Sequence, residues 1–329
     1  MYIEENGYSK DKWRKHFPVE SLLKLLVVKA YKKISYRKVI SSLSEKDCLL
    51  LSFPYDPETG LYMRPSKSTL HDFAKTIIGI EGLNRLMIMV GKKIVDQNPG
   101  QDGIIDSTPL EASRYSEHSK YNPHYEIKMD KAHIFHYGNS VLYMVHSEGM
   151  DHDEKHYLPL ILAIKEMDPS MSKFMLDAGY KGFQTHADCW YHLGVQPLIG
   201  MPCNAVYSED ATLEKKNEKI NKMWKIGGNI HDSLPNKLKF LYENGYAELV
   251  GKFLRNKNMN DPDFENKMKN HGDCERKHSH IKSTVKFDVK GYWEDSREFN
   301  AILNFVCFQL LDLSRLQCGI KNPEFCNYY

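Results

Sequence analysis

Two kinds of hydrophobic spacing divide the chain. From residue 18 to 97, apolar residues recur every three or four positions between short polar breaks, the spacing of one buried helix face. Leu22, Leu26 and Ala30 share such a face up to Ile34, and Pro18 suits the first turn of that helix. Ser35 is placed to cap a second helix that turns Val39, Ile40 and Leu43 inward and carries Tyr36, Arg37 and Lys38. Pro54, Pro57, Gly60 and Pro65 predict a loop over 54 to 65. Further helices are predicted from Ser66 or Ser68 to about Ile78 and from Glu81 to Asp96, where Asn98-Pro99-Gly100 stops the pattern.

Beyond that break the spacing changes to short runs rich in β-branched and aromatic residues. Gly103 to Ser107 predicts a strand, and Glu126 to His136 with Ser140 to His146 a hairpin about Tyr137-Gly138-Asn139. Asp151 to Met167 reads as a helix apolar nearly all round, fit to pack on a sheet. Lys173 to Tyr180 is another apolar strand with an acid near its end, Phe183 to Leu193 a helix, and Val195 to Met201 a short strand. Residues 203 to 270, rich in lysine and asparagine, interrupt this order and read as an insertion; Tyr246 to Leu254 is the one strand candidate within it. Helices return at Asp273 to Lys282 and at Asp295 to Leu316, the latter with a stripe of Phe299, Ile302, Leu303, Val306, Leu310 and Leu313. The prediction is an α/β fold, a mixed sheet flanked by helices, with the insertion ahead of its last helices and an all-helical N-terminal domain. The segments are 1–98, then 101–202 plus 271–318, with 203–270 inserted.

Composition adds bounds. A chain of 329 residues, 41% hydrophobic and 27% charged, is that of a globular protein. No apolar run is long enough to span a bilayer and no signal region leads the chain, so a cytoplasmic, nucleoid-associated protein with no membrane partner is expected. Seven scattered cysteines without a Cys-x-x-Cys pair argue against a disulfide framework or zinc ribbon. The net charge of +2 conceals ten basic residues between Lys10 and Lys38 against Asp11 and Glu20, a stretch able to neutralise phosphates. Short helices with basic faces suit a helix-turn-helix-like reader of nucleic acid; a structural or dimerising bundle is the alternative.

The candidate chemistry lies with acids at the ends of apolar runs. Asp106 follows Gly103-Ile104-Ile105 and Asp177 follows Phe174-Met175-Leu176, so adjacent strands of one sheet would bring the two together. Carboxylates on rigid elements are what magnesium requires, and a pair of such ions can hold the attacking and leaving oxygens of a phosphoryl transfer. Glu275 is the candidate third acid, with Lys282 two helical turns further along the same face, placed to grip phosphate. A rival reading is zinc: His271, Cys274 and His278 share a face, and Cys189, His186 and His192 form a second possible ligand group.

Asp106-Ser-Thr-Pro109, Asp177-Ala-Gly-Tyr180 and Glu275 with a lysine seven residues on, in that order and with an insertion before the glutamate, resemble the DDE transposases of bacterial and archaeal insertion sequences. The closer likeness is to the group whose third motif reads Tyr-x2-Arg-x3-Glu-x6-Lys, and it extends over nearly the whole chain, since Pro65 to Leu70 before a helix resembles the N-terminal domain of such enzymes. His271 stands in the arginine place of that motif and Met268 in the tyrosine place. The resemblance implies a ribonuclease H-like catalytic domain in which Asp106, Asp177 and Glu275 hold two magnesium or manganese ions. It implies cleavage at terminal inverted repeats and joining of the 3′-hydroxyl ends to target DNA by a homodimer on double-stranded DNA. Lys282, His271, Arg276, Tyr180, Arg37 and Lys38 are the expected DNA contacts, with Tyr180 either stacking on or near an end base or lying in the core or at its rim. Two alternatives stay open: a catalytically inactive repressor that binds the repeats through residues 1 to 97, and a ribonuclease H-like nuclease without strand transfer.

Overall fold

A computed structural model describes residues 17–117, 119–123, 125–200, 233–269, 273–285, 291 and 293–320. They fall into two compact units: Met1–Ile94, Pro109–Asp130 and His278–Tyr329 make the first, Val95–Thr108 and Lys131–Lys277 the second.

In the first unit, helices α1 (Val19–Tyr31), α2 (Tyr36–Ser41) and α3 (Glu45–Leu50) follow one another through capped ends. The Ser35 hydroxyl accepts from the Lys38 N–H at 3.2 Å, and Ser44 with Asp47 closes a reciprocal capping box, so the polar breaks in the sequence are helix starts. The predicted loop over 54 to 65 contains a small antiparallel ribbon, β1 (Tyr55–Asp56) with β2 (Leu61–Tyr62). Helix α4 (Lys67–Asp72) runs through a π turn at Phe73–Ile78 to α5 (Gly79–Gln97). The last helix of the chain, α12 (Glu294–Gln317), packs along α1 and buries Phe299, Ile302, Leu303 and Val306, as its stripe predicts. One buried polar contact lies beside this apolar core: Arg297 Nε donates to Asp130 Oδ2 at 2.7 Å, and the Ser119 hydroxyl donates to the other oxygen at 2.7 Å. Strand β4 (Lys120–Asn122) pairs antiparallel with the start of β5 (Ile127–Tyr137).

The second unit is the α/β part. Strand β3 (Gly103–Glu111) pairs in parallel with β7 (Phe174–Leu176), which pairs in parallel with β8 (Leu198–Ile199). The full sheet order is β4-β5-β3-β7-β8, with β6 (Ser140–Glu148) beside β5, so the sheet is mixed, as predicted. Burial on both faces explains why Ile104, Ile105 and Phe174 to Leu176 form unbroken apolar runs rather than alternating ones. Helix α6 (Tyr157–Met167) packs against β6 and against α7 (Phe183–Leu193). It starts later than the predicted Asp151, because residues Asp153–Lys155 form a separate 3₁₀ turn before it.

Of the predicted insertion, residues 201 to 232 lie outside the described residues. The remainder is helical: α8 (Leu234–Glu243), α9 (Ala247–Met259) and α10 (Phe264–Met268). The strand expected at Tyr246 to Leu254 is therefore a helix. Its buried residues Val250, Phe253 and Leu254 recur at three- and four-residue intervals, and they join Ala187 of α7 and Leu238 and Leu241 of α8 in one apolar cluster. Helix α9 lies so close on α7 that a methyl group at Gly251 would stand 1.7 Å from the Phe183 carbonyl oxygen. Helix α11 (Asp273–Thr284) completes the order. Among the described residues no helix is long and apolar enough to cross a membrane.

Candidate active site

The β3–β7 register runs Gly103 to Phe174, Ile104 to Met175 and Ile105 to Leu176, so the next positions on the two strands are Asp106 and Asp177. The Asp177 N–H still reaches the Ile105 carbonyl at 3.4 Å before the chain leaves the ladder. β7 stops there while β3 continues to Glu111, so Asp106 does not end its strand as the sequence predicts; it marks where parallel pairing ends. Asp177 caps a 3₁₀ turn, Ala178–Tyr180, its Oδ2 accepting from the Gly179 N–H at 3.4 Å.

Asp106 is half-buried, and its Oδ1 accepts from the Ser107 N–H at 2.8 Å. Its pKa is nonetheless pushed up to about 7, first by burial and then by the negative charges of Asp177, Asp153 and Glu275. Three carboxylates of the second unit therefore act electrostatically on a fourth, Asp106. Glu275 is an exposed residue in the first turn of α11; among the described residues no three His, Cys, Asp or Glu side chains converge closely enough to hold a metal ion. The donor chemistry fits a hard divalent cation, because an aspartate raised first by burial and then by three neighbouring carboxylates is a site that a cation would relieve.

Asp153 is the acid that the sequence reading missed. It opens the 3₁₀ turn after β6, takes a hydrogen bond from the Ser107 hydroxyl at 3.1 Å and pairs with Lys131 at 2.9 Å. Behind it, His133 of β5 is fully buried: Nδ1 meets the Tyr180 hydroxyl at 2.7 Å, Nε2 meets the Ser147 hydroxyl at 2.8 Å, and the ring stacks on His156 at 4.7 Å. Burial drives the His133 pKa down to about 3, the neighbouring Asp153 opposing. The available signal was the run of Asp151, Asp153 and Glu154 before a largely apolar helix, with Lys131 and His133 among the polar positions of the strand before the hairpin.

The remaining predicted residues separate. Tyr180 is wholly buried against His133, which agrees with the core alternative for this residue rather than with stacking on an end base. Arg276 is exposed next to Glu275, and Lys282 is exposed two turns further along α11. In the first unit, Arg37 and Lys38 are exposed on α2. His271 lies outside the described residues, as does the side chain of Cys274, so the zinc reading centred on them has no described ligand set. Met268, in the tyrosine place of the third motif, packs against the cluster of Ile104 and Met175. Cys189 is buried on α7, and both ring nitrogens of His186 are buried without a hydrogen-bond partner.

A family model described as "Transposase DDE domain" matches residues 97–308, well over half of the chain. No curated protein matches it.

Proposed function

Given that the chain belongs to the DDE transposase family, we propose that it cuts DNA at the terminal inverted repeats of its own insertion sequence and joins the freed 3′-hydroxyl ends to target DNA. Membership makes it a polynucleotidyl transferase or endonuclease acting in DNA transposition. The observation that supports the finer reading is the place of Asp106 and Asp177 immediately after the last pair of the β3–β7 ladder, with the charges of Asp177, Asp153 and Glu275 all acting on Asp106.

On this reading Asp106 and Asp177 supply the fixed half of a ligand set and Glu275, on α11, the half that closes on substrate. Two magnesium or manganese ions held there would supply Lewis-acid activation of a water or 3′-hydroxyl and stabilise the leaving oxygen. The chain's own part is to present carboxylates on elements too rigid to relax and to keep the phosphodiester in line. Lys282, Arg276 and His271 would neutralise backbone phosphates near the cut, and Arg37 and Lys38 would contact the repeat. His271 is a weaker and pH-dependent donor where the resembled motif has arginine. Two protomers would pair the element's ends.

A second reading is a DNA-binding repressor without cleavage, for which the motif departures speak: His271 stands in the arginine place and Met268 in the tyrosine place of the third motif. A plasmid excision assay in magnesium, using the DNA that flanks the gene as the repeat source, separates the two. Excised and rejoined ends are expected from the wild-type chain, and their loss with retained repeat binding from Asp106→Ala, Asp177→Ala or Glu275→Ala. Cleavage that survives any one of these changes refutes the ligand assignment, cut ends that are never joined point to a nuclease, and binding without excision by the wild type leaves the repressor.

A further inference from the structure

We propose that Asp153 is a positioning residue that clamps the two halves of the Asp106–Asp177 pair together, an inference that rests on the metal-binding reading above. Its carboxylate divides its two oxygens between different tasks. Oδ2 accepts from the Ser107 hydroxyl at 3.1 Å, and the Ser107 N–H in turn donates to Asp106 Oδ1 at 2.8 Å. The same Oδ2 lies where a methyl group at Gly179 would meet it at 2.6 Å, and the Gly179 N–H donates to Asp177 Oδ2. One oxygen thus sits against the residue whose N–H each aspartate accepts, Ser107 for Asp106 and Gly179 for Asp177. The other, Oδ1, faces Lys131 at 2.9 Å and His133 Nδ1 at 3.9 Å.

These contacts restrain Asp153 from behind. Lys131 also donates to the Asp151 carbonyl at 3.1 Å, which ties the 3₁₀ turn to β5. Asp153 and Lys131 are 13% and 17% exposed, so their attraction is little screened by water and holds the carboxylate in one place. With its charge matched by the lysine, Asp153 is built to orient its neighbours rather than to ligate. The role requires Gly179, since any side chain there would displace the carboxylate.

Manganese binding, read by the free-ion electron paramagnetic resonance signal, tests this without any DNA. Partners behind a ligand typically change metal affinity 10- to 100-fold when lost. Asp153→Asn is expected to weaken manganese binding by about tenfold or more at a temperature where it is fully folded, and Ser107→Ala to weaken it less but in the same direction. The double variant is expected to be no worse than Asp153→Asn alone, because both changes cut one connection. Wild-type affinity in both single variants, with or without a lower Tm, overturns the proposal and leaves Asp153 with a purely structural role. Loss of binding in Asp153→Asn as complete as in Asp106→Asn, with Ser107→Ala unaffected, also overturns it, because Asp153 would then be a ligand. Should Asp153→Asn fail to fold, Ser107→Ala decides alone by the same criterion. Absence of manganese binding by the wild-type chain removes the metal reading and this role together; a normal wild type disabled by Asp106→Asn but not by the other two removes this role only.

Discussion

At Asp106, burial works against the charge that the site needs. With its pKa raised from 3.8 to about 7, the folded protein keeps a proton there between those values that the unfolded chain has lost. Stability from this residue is therefore full below about pH 4 and is lost as pH rises through 7. Asp106→Asn removes the titration while its amide oxygen can still accept from the Ser107 N–H. The metal-free variant should be more stable than wild type at pH 8, by roughly 2–4 kcal/mol from the size of the shift, and indistinguishable from it at pH 4. Urea denaturation at the two pH values, in the presence of a chelator, measures both. Manganese should narrow the gap at pH 8 by stabilising the wild type alone. A buried carboxylate kept at such cost is what a functional site would retain and a purely structural one would discard.

The elements around the site are held by contacts that tolerate little change, and the tightest is the crossing of α7 and α9. Helix α7 carries Ala187 and Cys189 into the core, while Asp188 accepts hydrogen bonds from the Tyr157 and Tyr242 hydroxyls, each at 2.6 Å. At Gly251 the obstacle to a side chain is the Phe183 backbone carbonyl, which cannot swing aside as a side chain would. Gly251→Ala should therefore force the helices apart and cost roughly 1–3 kcal/mol by overpacking, although alanine is the better helix former. A lower urea midpoint with an unchanged slope would show it; a midpoint at or above wild type would mean that the crossing relaxes freely. The same contact shows why α9 is a helix. Its sequence between Tyr246 and Leu254 is short and apolar enough to read as a strand, but a strand would not place Val250, Phe253 and Leu254 on one side.

Over the whole molecule, buried histidines set the acid limit. Burial lowers His133 to about 3 and His186 to about 4, from an ordinary value of 6.5, and lowers His192 and His280 in the same direction. As pH falls below about 6.5 the unfolded chain takes up protons that the folded histidines refuse, so stability falls with pH. Asp106 opposes this, since its folded form gains a proton in the same range. At least two protons against one leave the unfolded chain ahead, and stability should decline by on the order of 1 kcal/mol per pH unit between about pH 6 and 4.5. Thermal unfolding across that range measures the slope. Asp106→Asn should steepen it by removing the opposing proton, and a Tm independent of pH would contradict the burial of these rings.

The sequence alone determined the features that depend on neighbours within a few residues. Helix starts at Ser35 and Ser66, the helices Phe183–Leu193 and Glu294–Gln317, and the two apolar strands that lead into Asp106 and Asp177 all follow from local spacing, because periods of two and 3.6 are written in adjacent positions. The order of the acids was legible too, and the family came from the resemblance that their motifs carry, which the match over residues 97–308 supports. Tertiary structure decided what surrounds them. Asp153 meets Ser107 across 46 positions and His133 meets Tyr180 across 47, pairings fixed by the sheet register and by the turn that follows β6, neither of which is encoded in any local pattern. The same packing chose the interior from the two expectations for Tyr180, base stacking or core, and extended β3 beyond Asp106. A side chain's type limits what it can do, but its charge state and its partners depend on which distant strand folds against it.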